Sequence, residues 1–368
     1  MQTKRSKSRI FFIIVHIAIV FFFLLVTLIP FLDPGIFWYI SFLGLLYPYL
    51  LSATILCLLI SLLAKSKWAI LSFIALLVSW QQITAVFAFH PSNKFDTNKD
   101  DSALRVLSWN VSSWTMNQHA TDAVGRVGLR NLMMDAVKEQ NADVLCFQEF
   151  FESYAPELYP ANIPVLKSMG FNYVFFSPYI TTMNGGLAGG ICIFSKFPIT
   201  DTVFYKPKIG CNSEGISIAD IQFPNKTVRI INAHLESPRL KKQEYDAVAE
   251  VEESKSVFGK IKRAYAKRME QAEMVRSIVD TSKFPAIVCG DFNDIPNSYA
   301  YFKVKGNLQD AFLKRGFGIG RTFQYISPTL RIDYIFCDPK FKIQQFTKPD
   351  YKYSDHYPQV ADITYQKF

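Results

Sequence analysis

Acidic, amide and imidazole side chains stand within, directly after or just before several short apolar runs of the chain. They are Asn110, Gln148, Glu149, Asn232, His234, Asp291, Asn293, Asp333, Asp355 and His356. Each residue alone has an ordinary explanation, since asparagine and aspartate form turns after strands. Their recurrence is informative, because the strand ends of a layered fold gather at one edge and can bring polar groups into one cleft. Such a cleft is suited to binding a hard cation and to moving protons.

The apolar runs next to these groups predict strands, because they are short and rich in β-branched and aromatic residues. The predicted strands are Leu104–Trp109, Val144–Phe147, Tyr173–Phe176, Gly190–Phe194, Gly215–Phe223, Val228–Ala233, Ala286–Cys289, Ile332–Cys337 and Gln359–Tyr365. Several are apolar on both faces, as expected of strands that are covered by helices or by a second sheet. Helices are predicted between them, over Arg126–Gln140 and Arg239–Asp280. The pattern predicts one α/β sandwich domain.

Six short motifs in a fixed order connect the chain with a known family. They are SWN (108–110), QE (148–149), NAHLES (232–237), GDFND (290–294), RIDYIF (331–336) and SDH (354–356). This set resembles the endonuclease/exonuclease/phosphatase superfamily, which includes pancreatic-type DNases, apurinic endonucleases, neutral sphingomyelinases and inositol-phosphate 5-phosphatases. The resemblance covers the chain from about Leu104 to the C-terminus, and GDFND followed by a distant SDH is its most specific part. It implies a four-layered α/β/β/α sandwich and Mg²⁺-dependent hydrolysis of a phosphoester.

The resemblance also implies a metal site. Glu149 would be the main ligand, with Asn110 beside it and Asp355 on the other side, in keeping with the preference of Mg²⁺ for a few carboxylates and retained waters. Some apurinic endonucleases have an acid two residues after the SWN asparagine, and here that position is Ser112. This difference favours a single metal site. Mn²⁺ is the alternative ion.

The resemblance assigns the remaining polar groups to the reaction. A phosphodiester is anionic and repels hydroxide, so its hydrolysis needs a cation, an oriented water and an acid for the leaving oxygen. Asp291 would orient or deprotonate the water, and Asn293 would hold a phosphate oxygen. His356 would contact the phosphoryl group, with Asp333 fixing its tautomer and favouring the imidazolium. His234 could be the acid.

The first 90 residues predict a membrane anchor. Three apolar runs without formal charge, at about 10–32, 36–64 and 68–89, are each long enough to cross a bilayer core of about 30 Å. No polar stripe interrupts them, which argues against buried helices of a soluble domain. A signal peptide is disfavoured because the first run is long and two more follow it. Residues 91–103 are then a polar linker, and residues 104–368 the catalytic domain.

The basic residues of the anchor predict its orientation. Four basic residues precede the first run, namely Lys4, Arg5, Lys7 and Arg9, and Lys65 and Lys67 lie between the second run and the third. The loop after the first run has no basic residue, and its one charged residue is Asp33. Positive charge stays on the cytoplasmic side, so the N-terminus is predicted inside and everything after His90 outside. The chain also resembles membrane-anchored family members of the Bacteroidota, which implies an inner-membrane protein with a periplasmic catalytic domain.

The net charge of +9 is weak evidence for a nucleic-acid partner. Residues 1–90 hold six of the 40 basic residues and one of the 31 acidic residues, which leaves the rest of the chain at +4. A domain that binds nucleic acid through phosphate charge usually has a stronger basic bias. The stretch Lys255–Arg268 has six bases and no acid. It is either a solvated helix face or a surface for anionic lipid headgroups or nucleic acid.

Cysteine spacing predicts neither a disulfide framework nor a zinc site. Cys57 lies in a predicted span, Cys211 lies in a glycine-containing turn, and the others lie in strand-like runs at Cys146, Cys192, Cys289 and Cys337. The five cysteines after residue 90 cannot all pair with one another. They are interpreted as buried small hydrophobes, with their disulfide state left open.

Two functions remain from the sequence. The first is a membrane-tethered, metal-dependent phosphoesterase that acts on nucleic acid or on phospholipid or sphingolipid headgroups outside the cytoplasm. The alternative is a non-enzymatic subunit of a membrane assembly that retains the fold. Its partners would be the bilayer and other membrane proteins. A degenerate site would favour the alternative, but every polar group named above is present.

Overall fold

The chain divides into two compact units, each built from separate segments. The computed structural model describes residues 2–91, 95–115, 123–157, 159–206, 214–224, 226–239, 251–325 and 327–366. The helical unit comprises residues 1–87, 238–269 and 295–302, and the sandwich unit comprises residues 88–237, 270–294 and 303–368. The sequence predicts a boundary near residue 90, and the helical unit additionally includes two later segments.

The helices and strands follow the predicted alternation. The helices are α1 (Gln2–Thr27), α2 (Trp38–Leu43), α3 (Tyr47–Leu63), α4 (Ala69–Val78), α5 (Trp80–Val86), α6 (Ala123–Glu139), α7 (Ile163–Ser168), α8 (Val251–Asp280), α9 (Tyr299–Lys305) and α10 (Ala311–Arg315). The strands are β1 (Ala88–Phe89), β2 (Leu104–Asn110), β3 (Val144–Ser153), β4 (Tyr173–Thr182), β5 (Leu187–Ser195), β6 (Ile199–Tyr205), β7 (Gly215–Phe223), β8 (Lys226–His234), β9 (Ala286–Asp291), β10 (Gln309–Asp310), β11 (Phe317–Gly318), β12 (Asp333–Cys337), β13 (Phe341–Thr347) and β14 (Gln359–Tyr365). The helix predicted from Arg239 is described from Val251, with Arg239 itself outside it and residues 240–250 outside the described part of the chain.

Among its described residues, the helical unit contains two helical stretches that are long and apolar enough to cross a membrane. They are Lys7–Phe31 and Trp38–Leu63, in agreement with the first two predicted spans. The third predicted span is two helices, α4 and α5, which meet at an angle of 68°. Ser79 stands at that break, where its hydroxyl lies 2.7 Å from the Tyr47 hydroxyl and 3.0 Å from the Thr27 hydroxyl. By length and composition, the described part of the chain therefore holds two candidate spans, or three if the bent pair forms one crossing.

The sandwich unit contains two six-stranded sheets. The first has the strand order β13-β14-β2-β3-β5-β4, and the second has the order β10-β12-β9-β8-β7-β6. Each sheet has one parallel pair near its centre, β2 with β3 and β8 with β9, while the other pairs are antiparallel. The carboxyl ends of both parallel pairs carry polar residues of the recognised motifs.

The two sheets pack face to face around one hydrophobic core. That core joins inward-facing residues of both sheets, among them Val106, Cys146, Ile193, Ile230, Ile287, Cys289 and Ile335. On the outer face of the first sheet, α6 and α7 place Met133, Val137 and Leu166 in a second core. In the sandwich-unit part of α8, Ala272, Val275, Ile278 and Val279 form a buried stripe. The predicted four-layered α/β/β/α sandwich is confirmed.

The described cysteines are free thiols and are all buried. Cys146, Cys192, Cys289 and Cys337 lie within strands of the sandwich, and Cys57 lies in α3. Burial raises the pKa of the Cys146, Cys192 and Cys337 thiols well above the ordinary value, since a thiolate there would lose its hydration. The interpretation as buried hydrophobes is confirmed for these five, and Cys211 lies outside the described residues.

A buried ion pair connects β2 with β14. Arg105 is fully buried, and its Nε and one Nη atom donate to Asp362 Oδ1 and Oδ2 at 2.6 and 2.8 Å. The guanidinium also donates to the carbonyl oxygens of Thr97 and Gln140. Gln345 Nε2 donates to Asp362 Oδ2 at 2.6 Å. All these charges and donors are satisfied, so removal of one partner leaves an uncompensated charge in the interior.

The Asp362→Asn variant is expected to be strongly destabilised. Breaking a buried pair from one side costs about 3–5 kcal/mol, which corresponds to a fall in Tm of roughly 10 °C for a domain of this size. Thermal unfolding of the full-length protein in detergent measures the shift. Asp350→Asn is the matched control, because Asp350 and Lys352 form an exposed pair at 3.9 Å. An equal Tm for both variants would contradict the expected role of the Arg105 pair.

Candidate active site

The register of the second sheet brings three predicted site residues into one row. Asp333 on β12 is paired with Asp291 on β9, and Asp291 is paired with His234 on β8. In the first sheet, Asn110 at the end of β2 is paired with Gln148 on β3, directly before Glu149. The row and the end of β2 meet, since Asn110 Nδ2 donates to Asp291 Oδ2 at 3.0 Å.

Two residues with positive φ angles, Gly290 and Glu149, determine how these side chains are oriented. Gly290 has φ +143°, and a Cβ there would lie 1.8 Å from the carbonyl oxygen of Ala233, so only glycine lets β9 run this closely beside β8. Glu149 has φ 49° and lies in a bulge of β3 between Phe147 and Phe150. Both phenylalanines are fully buried, so the bulge turns Glu149 away from the regular alternation without moving them out of the core.

His356 and Asp333 form a buried pair. His356 Nδ1 lies 3.0 Å from Asp333 Oδ2, the nearest oxygen of that carboxylate. Gln359 Nε2 donates to the Asp333 carbonyl, and Trp109 Nε1 donates to the His356 carbonyl. The ring of Phe323 lies 4.9 Å from the imidazole, centroid to centroid. Hydrogen bonds therefore hold both the side chain and the backbone of His356, and Phe323 packs beside its ring.

The charges of this pair favour the imidazolium. Burial lowers the pKa of His356, but the carboxylates of Asp333 and Asp291 more than offset it and raise the pKa well above the ordinary value. Burial raises the pKa of Asp333 to about 6, although the neighbouring His356 opposes the rise. A positively charged imidazole is suited to binding an anionic phosphoryl group.

Asp291 lies at the centre of the site. Its Oδ1 accepts from the backbone N–H of Asn293 at 2.8 Å, and its Oδ2 accepts from Asn110. The Nε2 atoms of His356 and His234 lie 3.6 and 3.7 Å from Asp291 Oδ2. The ring nitrogens of buried His234 have no hydrogen-bond partner among the residues that the structure describes. A buried imidazole without a protein partner, next to a carboxylate, is suited to meeting a substrate atom.

Glu149 and its neighbours provide oxygen donors for a hard cation. Asn110 Nδ2 donates to Glu149 Oε1 at 3.2 Å. Partial burial raises the pKa of the Glu149 carboxyl, while the charge of His234 lowers it and that of Asp355 raises it again. Two carboxylates that repel each other this way are stabilised by a cation between them, and Mg²⁺ prefers such oxygen ligands. The residues present therefore fit the predicted metal.

Asn110 is placed differently from a simple ligand. Its amide nitrogen faces Glu149 and Asp291, and its Oδ1 accepts from the backbone N–H of Ser112 at 3.0 Å. The amide thus spaces and orients the two carboxylates, and its role as a metal ligand stays a prediction. The side-chain amide of Asn293 is also held by the protein, because its Nδ2 donates to the carbonyl of Leu235 at 3.0 Å.

Asp291, Asp333 and His356 form a second group whose ligand atoms lie within 4.8 Å of one another. In this group His356 Nδ1 is already hydrogen-bonded to Asp333. A metal bound there would compete with that bond, and an imidazole is a less suitable ligand for Mg²⁺ than a carboxylate. The group is better explained as the charge network that orients His356.

Sequence reasoning missed several residues that hold the site together. Ser354 Oγ donates to the carbonyl of Asn110 at 2.8 Å and lies 3.1 Å from Asp355 Oδ1. Its position beside Asp355 in the SDH motif is the only signal in the sequence for this positioning role. Thr322 accepts from the backbone N–H groups of Ile332 and Asp333 at 2.9 and 3.1 Å. No motif marks Thr322.

Gln148 and Asn232 connect the two sheets beneath the site. Gln148 Nε2 donates to Asn232 Oδ1 at 2.6 Å, and Asn232 Nδ2 donates to the carbonyls of Phe147 and Cys192. Both side chains are fully buried. They belong to the predicted set of strand-end groups, and they form a polar connection between β3 and β8.

Comparison with known proteins supports the fold and the motifs. The model of the endonuclease/exonuclease/phosphatase family matches residues 107–356, and a domain of unknown function matches residues 8–86. Phospholipase C of Staphylococcus aureus is 27% identical over 161 residues, which are 40% of this chain and 47% of that protein. The chain thus spans about half the length of the curated relatives that it matches.

Solved structures show the same fold at low sequence identity. The catalytic domain of human Nocturnin with bound sulfate anion superimposes with a TM-score of 0.50 and 17% identity, over 73% of this chain and 97% of that chain. The endonuclease/exonuclease/phosphatase from Bacteroides vulgatus gives a TM-score of 0.50 and 16% identity, over 72% of this chain and 100% of that chain. Since the family model spans well over half of the sequence and includes all the strand ends that form the site, the chain belongs to the endonuclease/exonuclease/phosphatase family.

Proposed function

We propose that this protein is a membrane-tethered, Mg²⁺-dependent phosphodiester hydrolase whose active site lies outside the cytoplasm. The observation that carries the proposal is one connected polar network, from the His356–Asp333 pair through Asp291 and Asn110 to Glu149. Members of the family are typically hydrolases that act on phosphodiester bonds. A non-enzymatic subunit would not need to keep buried charges in this arrangement, since each is costly without a function.

Glu149 and Asp355 would hold the metal, with Asn110 beside them. Bound there, Mg²⁺ would neutralise charge on the phosphoryl oxygens and stabilise the leaving oxygen. Mn²⁺ has similar ligand preferences and is the alternative. The support for this assignment is the oxygen donor set and the repulsion between the two carboxylates described above.

The remaining residues divide the reaction among them. Asp291, held by Asn110 and the Asn293 N–H, would orient the attacking water and accept its proton. The His356 imidazolium would bind a phosphoryl oxygen, while Asn293 would hold another. His234, whose ring nitrogens have no partner among the described residues, would donate a proton to the leaving oxygen.

A phospholipid or sphingolipid headgroup is the substrate class that the observations favour. The partial similarity to a phospholipase C supports a lipid phosphodiester, and the apolar N-terminal helices would keep the enzyme at its substrate. The modest charge of the chain after residue 90 gives no comparable support for nucleic acid. The orientation is proposed from the basic residues that flank the spans, with the N-terminus cytoplasmic in the inner membrane and the sandwich unit periplasmic.

Removal of divalent metal is expected to abolish hydrolysis. The full-length protein in detergent would be assayed against phospholipid and sphingomyelin vesicles, plasmid DNA and a simple aryl phosphodiester. We expect cleavage of the aryl diester and of one lipid class with Mg²⁺, complete loss in EDTA and recovery on addition of Mg²⁺ or Mn²⁺.

The other outcomes are equally informative. DNA cleavage with intact lipids would overturn the lipid assignment and keep the hydrolase. Activity that persists in EDTA would contradict the metal site. Intact substrates under every condition, with correctly folded protein, would favour the assembly subunit and direct the search to membrane partners.

A further inference from the structure

The basic stretch of α8 belongs to the helical unit. We call residues 255–268 the basic arm, which holds six bases and no acid. The helical unit includes α8 up to residue 269, and the acidic residues Glu270 and Glu273 follow in the next turns. The basic part of the helix thus coincides with the part that groups with the candidate membrane spans.

One face of the basic arm packs on the start of the second span. Val257, Ile261 and Tyr265 are buried in one cluster, with Trp38 packed against it. The rings of Trp38 and Phe258 lie 5.7 Å apart, centroid to centroid. A Cβ on Gly35 would lie 3.3 Å from Ala266 Cβ. The arm therefore lies against the turn between the first two spans.

That turn lies at the end of the spans that carries no basic residue. The loop between the spans holds Asp33, whereas Lys65 and Lys67 lie at the far end of the second span. The residues 295–302 also contact this end, since Asn297 Nδ2 donates to the Val26 carbonyl near the end of α1. Tryptophan and tyrosine are enriched at membrane–water interfaces, and Trp38 and Tyr39 begin the second span there.

The outer face of the basic arm presents positive charge. Lys262 and Arg263 are exposed, on the side of the helix away from Val257 and Ile261. Gly259, which precedes these two residues by about one helical turn, is also exposed. A helix with an apolar face packed on the protein and exposed bases at interface level meets the negative surface of anionic lipids. Nucleic acid is a less suitable partner, because it would have to reach Lys262 and Arg263 at the membrane surface, where lipid headgroups already lie.

We propose that the basic arm is a lipid-binding surface, which lies in the headgroup region and contacts anionic phospholipids through Lys262 and Arg263. This inference goes beyond hydrolysis and rests only on the membrane insertion in the proposed function. The arm would anchor the chain to the leaflet on the side of the Gly35 turn, in addition to the spans. It would make that attachment sensitive to the fraction of anionic lipid and to salt.

Lipid contact can be measured at Gly259. A Cβ there meets nothing within 4 Å, so Gly259→Cys accepts a fluorescent label. The label would be placed in full-length protein that also carries Cys211→Ser, since the other cysteines are buried. The protein would be reconstituted into nanodiscs of phosphatidylcholine alone or with phosphatidylglycerol, and quenching by a headgroup spin-labelled lipid recorded.

We expect stronger quenching in the anionic nanodiscs, its reversal by high salt, and loss of the difference in Lys262→Glu/Arg263→Glu. Lys340→Glu/Lys342→Glu is the matched control, because both bases are exposed on the sandwich unit. Equal quenching in both lipids would overturn the lipid-binding surface while leaving tethering intact. The proposal would also be overturned if Lys262→Glu/Arg263→Glu lost binding to DNA but kept the difference in quenching between the two kinds of nanodisc. Failure of the chain to enter nanodiscs would overturn both tethering and this inference.

Discussion

Replacement of Glu149 by glutamine is expected to reduce kcat/KM for phosphodiester hydrolysis by about 10³-fold or more. The reason is that a bound metal contributes several kcal/mol of charge stabilisation in the transition state, and each 1.36 kcal/mol corresponds to tenfold in rate. Glutamine keeps the size of the side chain and an oxygen that can accept from Asn110, but it removes the charge proposed to hold the cation. The assay is Mg²⁺-dependent cleavage of an aryl phosphodiester.

The Glu149→Gln variant also separates metal binding from folding. Titration of the protein with Mn²⁺, followed by the loss of the free-ion magnetic resonance signal, should show weakened binding. Glu157→Gln is the matched control, because Glu157 is exposed in the connection after β3, outside the strand that carries Glu149. Full activity in Glu149→Gln would exclude this carboxylate as the main ligand. An unchanged Tm is needed for the comparison, and the partial exposure of Glu149 favours it.

Replacement of His356 by alanine is expected to reduce kcat by roughly 10²–10⁴-fold, the usual contribution of a positioned acid, base or cationic group. The imidazolium lies 3.6 Å from Asp291 and is held by Asp333, so its loss would remove both the proposed phosphoryl contact and a neighbour of the carboxylate proposed to orient the water. Steady-state kinetics with the aryl diester measures the effect. The exposed His90 gives the control variant His90→Ala, which should have wild-type kcat.

Asp333→Asn tests the assigned role of the pair. Asparagine cannot favour the imidazolium as a carboxylate does, so kcat should fall by about 10²-fold or more although His356 is still present. The double variant with His356→Ala should be little worse than His356→Ala alone, because the two residues act as one unit. Additive losses would mean that Asp333 acts independently of His356.

The strands that carry motifs were predictable because each combines an apolar run with a polar end. Val144–Phe147, for example, forms the start of β3, and the polar residues that follow it lie at the bulge that contains Glu149. β6 was missed for the opposite reason. Its residues are mostly exposed at the edge of the second sheet, so its sequence has no apolar alternation to detect.

The candidate spans were predictable by length and composition, but the bend in the third was not. Hydropathy gives one uninterrupted run over 68–89, whereas the structure breaks it at Ser79, where hydroxyls of Thr27 and Tyr47 converge. A contact between three separate helices has no signature within one segment. The same limit applies to the basic arm, whose charge was evident from the sequence and whose packing on Trp38 was not.

The types of site residues were predictable, while their mutual geometry was not. Motif order indicates that Asp291, Asp333 and His356 share a cleft, and the structure brings them within hydrogen-bond or ion-pair distance. The orientation of the Asn110 amide toward two carboxylates depends on β2 and β9, which belong to different sheets. Ser354 and Thr322 act on backbone groups, and such contacts leave no pattern in the residue types.

The four thiols inside the sandwich have a consequence for how the protein reaches its compartment. If the sandwich unit is exported as proposed, the unfolded chain arrives with these thiols exposed in an oxidising environment. Cys146 and Cys289 lie in different sheets and meet in the core, so an early bond to any other cysteine would trap a wrong arrangement. An exported chain would therefore have to bury these thiols before they are oxidised. The order in which strands β3, β5, β9 and β12 pack into the sandwich would decide which thiols are buried first.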